Sequence, residues 1–75
     1  MVNAYEAKAR QSKAERLAHE LFKAGIGHVD AARMEESDWR KLESAAGVNK
    51  SSASTQSLVV AILKQKEEEV LQHGN

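Results

Sequence analysis

Two Ala-Gly pairs, Ala24-Gly25 and Ala46-Gly47, are the strongest breaks in a 75-residue chain that contains no proline. Around them the sequence is rich in Ala, Leu, Glu, Lys, Gln and Arg, the residues that lose least on entering a helix. Glycine reaches the left-handed backbone region without the clash a Cβ makes, so each pair marks a place where a helix stops and the chain reverses. A chain punctuated this way folds as helices joined by short turns, and no period-two pattern argues for a strand.

The spacing of apolar residues fills in the elements. Ala14, Leu17, Ala18, Leu21 and Phe22 repeat at helical intervals, and Ser12 with Glu15 suits a capping box that would open a helix near Ser12. Residues 28–34 read as a short second helix with Val29, Ala32 and Met34 inward. Ser37 is the expected N-cap of a third, with Asp38 at its positive end and Trp39, Leu42 and Ala46 on one face. After the polar stretch NKSSAS, a serine opens a long last helix whose expected stripe is Leu58, Val59, Ile62, Leu63 and Val70. The predicted fold is all-α: a compact bundle of four to five helices with short connections. Residues 1–12 are expected to be a helical extension or a frayed segment, 13–66 the domain, and 67–75 a helix end and disordered tail.

Composition removes several functions. There is no cysteine, so neither a disulfide framework nor a thiolate metal site is available, and a cytoplasmic location is expected. The longest apolar run, Leu58 to Leu63, is far too short to span a membrane. His19, His28 and His73 are scattered without ligand spacing, so no metal and no cofactor is expected. Eleven basic and eleven acidic side chains cancel. Residues 1–34 nevertheless hold six basic against four acidic groups, and residues 35–75 five against seven. The serine and threonine cluster at 51–57 has no placed histidine base, and helix capping accounts for it better than nucleophilic catalysis. Glu35, Glu36 and Asp38 sit where acids favour a helix start, Glu67–Glu69 read as a solvated face, and so small a core implies no substrate pocket. No enzyme and no small-molecule substrate are expected.

The two Ala-Gly pairs also head a weak internal repeat. AGIGHVDAARM over AGVNKSSASTQ, offset by 22 residues, aligns Ile26 with Val48, Gly27 with Asn49 and Ala31 with Ala53. Gly27 and Asn49 are the residue types that accept positive φ, which would make each copy a tight helix-to-helix hairpin. The series Gly25-Ile26-Gly27, then Ala31 and Met34, resembles the helix-hairpin-helix motif of SAM-like DNA-binding domains found in repair and recombination proteins. The resemblance covers about fourteen residues in the first copy. The second departs from it: Asn49 stands in place of the second glycine and Gln56 in place of an aliphatic residue.

That resemblance implies a grip on DNA phosphates by main-chain amides at the hairpin, with little preference for base sequence. Free amides and the dipole at a helix start do form an anion site, and glycine allows close approach. The candidate contacts are Lys23, Gly25, Gly27, His28 and Arg33, with Lys50, Ser51 and Ser52 as the matching set before the last helix. Asp30, already in the first turn of the second helix, argues that the turns only connect helices. A helix-turn-helix reading of the Leu42–Val48 region fits less well, because Glu43 and Gln56 stand where small or apolar residues are wanted. The competing function is a protein-interaction adaptor or inhibitor, or a homodimer, working through helix ends that outrun the core near Tyr5, Val70 and Leu71.

Overall fold

The computed structural model describes residues 4–73, with the backbone alone at His73. Four helices follow in order: α1 Ala4–Lys23, α2 His28–Ala32, α3 Glu36–Ala46 and α4 Ala53–His73. Among the described residues there is no strand. Gln11 and Glu15, expected on either side of a helix start, instead bridge one turn of a continuous α1 at 3.0 Å, so the helix does not break at Ser12.

α1 turns Ala14, Leu17, Ala18 and Leu21 inward, and α4 answers with Val59 and Leu63. α3 adds Trp39 and Ala46, and α2 adds Ala31. Leu17, Leu63 and Val59 are the largest side chains buried completely. Ile26, Met34, Leu42, Val48, Leu58, Val60 and Ile62 pack around this centre. Leu17 and Leu63 together remove roughly 3–6 kcal/mol of apolar exposure, a large share for so small a core.

α1 and α4 lie side by side and run the same way. Thr55 near the start of α4 shares a surface cleft with Tyr5, Ala9 and Lys13, and Lys66 and Val70 near its end share one with Phe22. α2 rests against α4, and α3 against α1. The Cα radius of gyration is 12.6 Å and the longest extent 41 Å, against about 11 Å for the radius of a compact chain of this length. The excess lies in the first turns of α1 and the last turns of α4, which are exposed.

Both Ala-Gly pairs close their helices with the same bonds. Gly25 has φ +79° and Gly47 φ +70°. The Gly25 amide donates to the Phe22 carbonyl at 3.1 Å and the Ile26 amide to Leu21 at 2.9 Å; Gly47 donates to Ser44 at 3.3 Å and Val48 to Glu43 at 3.0 Å. Glycine followed by an aliphatic that packs on the core is the Schellman ending of a helix. The 22-residue repeat is therefore real in the main chain up to Ile26 and Val48. Beyond them it lapses, because one residue precedes α2 whereas four precede α4. Ala31 is buried in α2, while its aligned partner Ala53 is exposed at the start of α4.

The left-handed positions are thus Gly25 and Gly47, not Gly27 and Asn49: no described non-glycine residue has positive φ, and Gly27 is extended at φ −86°. The corresponding prediction is that Gly25→Ala and Gly47→Ala each cost about 1–2 kcal/mol in urea denaturation, the penalty of a Cβ in that region. Gly27→Ala should cost much less. Its backbone is ordinary, and the added Cβ meets only the tip of the Glu67 side chain, at 3.3 Å.

Three further expectations are corrected here. The N-cap of α3 is Glu35 rather than Ser37, in a capping box with Asp38, whose Oδ2 accepts from the Glu35 amide at 3.1 Å. Val29, Ala32 and Val70 point to solvent rather than inward. Phe22, spaced as a core residue, is 42% exposed: α1 ends one residue later, and the side chain of Lys66 rather than a helix lies over its ring.

Candidate functional site

The structure keeps the two sets of candidate phosphate contacts apart. Lys23, Gly25, Gly27 and His28 lie at or before the start of α2 and Arg33 just past its end, beside the C-terminal half of α4. Lys50, Ser51 and Ser52 lead into the N-terminus of α4. Fifteen positions of α4 separate Ser52 from Glu67, which contacts the first set; at 1.5 Å per residue that is about 22 Å.

At the first set, the amides of Gly25, Ile26 and His28 have partners inside the chain, whereas the Gly27 amide has none among the described residues. Gly25 and Ile26 donate to the end of α1, as described. The His28 amide donates to Glu67 Oε2 at 2.8 Å, and His28 Nδ1 lies 2.9 and 3.1 Å from the two carboxylate oxygens. A carboxylate offers only acceptors, so the imidazole carries a proton on Nδ1 here, either as the neutral Nδ1–H tautomer or as imidazolium. The acid that takes the His28 amide is thus Glu67 of α4; Asp30, also in the first turn of α2, is exposed and does not cap it. Lys23 is engaged in its own last turn, with Nζ 3.2 Å from Glu20 Oε2. Arg33 lies just past α2, exposed, with its amide on the Asp30 carbonyl at 3.1 Å.

The second set shows the same arrangement more deeply buried. The Ser51 amide donates to Glu43 Oε2 at 2.8 Å, and the Ser51 hydroxyl donates to the same oxygen. Arg40 completes the cluster: Nη2 donates to Glu43 Oε2 at 3.0 Å. Arg40 Nε lies 2.8 Å from Oε1 but is not aimed at it, so that contact is electrostatic rather than a hydrogen bond. Ser52 caps α4, accepting from the Thr55 amide at Oγ at 3.2 Å and from the Gln56 amide at its carbonyl at 3.0 Å. Lys13 Nζ reaches the Lys50 carbonyl at 3.5 Å, and Arg16 Nη2 donates to the Ala46 carbonyl at 2.9 Å, a cation placed at the negative end of α3.

Both acids titrate low. The ring and then the amide of His28 hydrogen-bond the Glu67 carboxylate and hold it below the ordinary carboxyl range; partial desolvation works the other way. For Glu43, burial favours the neutral acid, but the Ser51 hydroxyl and amide, with Arg40, outweigh it and bring the carboxyl down as well. A carboxyl lowered in the folded state adds stability above its unfolded value and loses it as pH falls through the folded one. The expectation for Glu67 follows. By NMR the Glu67 side-chain carboxyl carbon should titrate only below the ordinary carboxyl range, and His28→Ala, which removes the ring bond, should return it toward that range.

Glu67 and Glu43 are the residues that sequence reasoning passed over. The signal was present in both cases. Glu67 follows Leu63 by four and therefore continues the buried stripe of α4, and Glu43 stands between Trp39 and Ala46 on the inward face of α3. An acid on a buried face needs donors: for Glu43 the nearest ones not already spent in a helix are those of the following turn, at Ser51, whereas those of Glu67 come from the distant His28.

Among the described residues no group of three or more His, Asp or Glu side chains is arranged to hold a metal ion, and no helix is long and apolar enough to cross a membrane. No protein-family model, no curated protein and no solved structure matches the chain.

Proposed function

We propose that the chain is a non-enzymatic protein-interaction module that docks through the end of the bundle where α1 stops beside α4. The observation that carries this reading is the apolar surface left there: Phe22, Val70 and Leu71 are 42%, 56% and 75% exposed. In a chain with only three aromatic residues, such side chains in water favour contact with another protein surface. The zero net charge supports the same reading, because DNA-binding modules gain most of their affinity from a basic excess.

The alternative, a grip on DNA phosphates at the glycine turn, has the resemblance of Gly25-Ile26-Gly27 in its favour. It is weakened by the occupied amide of His28, since a phosphate would first have to displace Glu67 from it. One experiment separates the two readings. A photoreactive phenylalanine analogue at position 22 of the full chain, in the cells that make it, should form covalent adducts with protein, and the same group at Ser44 should not. Duplex DNA added to labelled protein should leave the amides of Gly25, Gly27, His28 and Ser51 unshifted. Absence of adducts, together with salt-dependent shifts at those amides, would transfer the function to nucleic acid.

A further inference from the structure

The buried stripe of α4 runs off the end of the bundle. Val59 and Leu63 lie beneath α1, and Glu67 is held by His28 of α2, but the next turn has no helix left to cover it. α1 ends at Lys23, so the cleft between Phe22 and Val70 is open, with Lys66 and Glu69 along it. Lys66 leans over the Phe22 ring with Nζ 5.9 Å from its centroid, and Glu69 is exposed, with no hydrogen bond or ion pair among the described residues.

This small surface is complementary to itself. Its apolar centre, Phe22 and Val70, is flanked by one positive and one negative side chain three residues apart on the same helix. When a second copy is turned through 180° about an axis perpendicular to α4, the two helices run antiparallel. Lys66 of each then faces Glu69 of the other, and the apolar centres meet. A surface that pairs residue i with j and j with i is what a twofold homodimer requires. A surface of balanced charge gives no attraction for an anionic membrane or polynucleotide, and a chain of zero net charge meets its own copies without repulsion.

We infer that this end of the protein is a twofold interface between two copies of the chain, with Phe22 and Val70 at its centre and Lys66 paired to Glu69 across the axis. The inference rests on the protein-interaction reading above and names the partner as the chain itself.

Sedimentation of the full chain tests it. The native protein should run as a dimer, and Val70→Glu, Lys66→Glu and Glu69→Lys should each weaken dimerisation about tenfold or more. These positions are at most half-buried, and circular dichroism should show each variant as helical as the native protein. The decisive sample is an equal mixture of Lys66→Glu with Glu69→Lys. Each variant alone opposes like charges across the axis, whereas the mixture pairs two acids with two bases, so a heterodimer should form. Intramolecular effects cannot produce that recovery. A native chain that stays monomeric at every concentration would overturn the dimer, as would a dimer indifferent to all three substitutions or a mixture that fails to associate. A strict monomer that still crosslinks to a different protein from position 22 would sink the dimer alone. A monomer without any crosslink would sink the interaction reading too.

Discussion

Glu43→Ala should be among the most damaging single substitutions in this protein, lowering the unfolding free energy by about 2–4 kcal/mol. Glu43 is 3% exposed and is the acceptor for both the amide and the hydroxyl of Ser51, which is itself buried. Alanine would leave two buried donors without a partner and strip Arg40 of its inward contact. The loss falls mainly on Ser51. The Arg40 side chain is a third exposed, so water compensates much of its charge, and Glu36 Oε2 lies 3.2 Å from Arg40 Nη2 as a second partner. Glu43→Gln should therefore cost about half as much, since an amide oxygen can still accept from Ser51. Urea denaturation followed by circular dichroism measures both. Equal costs would mean that charge, and not the satisfied donors of the turn, is what matters at Glu43. The low titration of Glu43 adds an acid limit: its contribution is intact above the ordinary carboxyl range and disappears as pH falls through its depressed value.

Leu63→Ala is expected to cost about 3–5 kcal/mol. Leu63 is completely buried, on the face of α4 that meets α1, and its neighbours in the core include Leu17 and Val59. Substitution removes three methyl or methylene groups' worth of transfer energy and leaves a cavity that cannot easily close, because Ala14 and Ala18 opposite are too short to fill it. A domain of this size has roughly 4–11 kcal/mol of stability in total, so the variant should be partly unfolded at 25 °C. Leu58→Ala one turn earlier, at a half-buried position, should cost clearly less. Denaturation midpoints of the pair distinguish a core centred on Leu63 from one spread evenly along α4.

The helical architecture was legible because helix propensity, apolar spacing and the two Ala-Gly pairs all point the same way. Gly25 and Gly47 end α1 and α3 as the sequence indicates, and Trp39, Ala46, Val59 and Leu63 are buried as their spacing requires. What misled was the meaning of neighbouring residues. Gly27 was read for backbone freedom, yet it is extended, and a Cβ there would crowd Glu67. Val70 continues a helical stripe correctly, but a stripe does not say where the covering helix stops. Ser12 and Glu15 satisfy a capping pattern that the continuing helix leaves unused. Glu67, placed on a solvated face by its two acidic neighbours, is held instead by a histidine 39 positions away, a pairing no local pattern contains.

The central claim is that each glycine turn is closed by the protein's own acid, leaving the apolar end of α1 and α4 as the surface available to a partner. The most direct measurement is the scalar coupling across the hydrogen bonds themselves, between the amide nitrogen and carboxyl carbon in uniformly labelled protein. Couplings from His28 to Glu67 and from Ser51 to Glu43 should be observed at neutral pH and should persist when duplex DNA is added. Their absence in the folded protein, or their disappearance on addition of DNA with the helices intact, would contradict the claim.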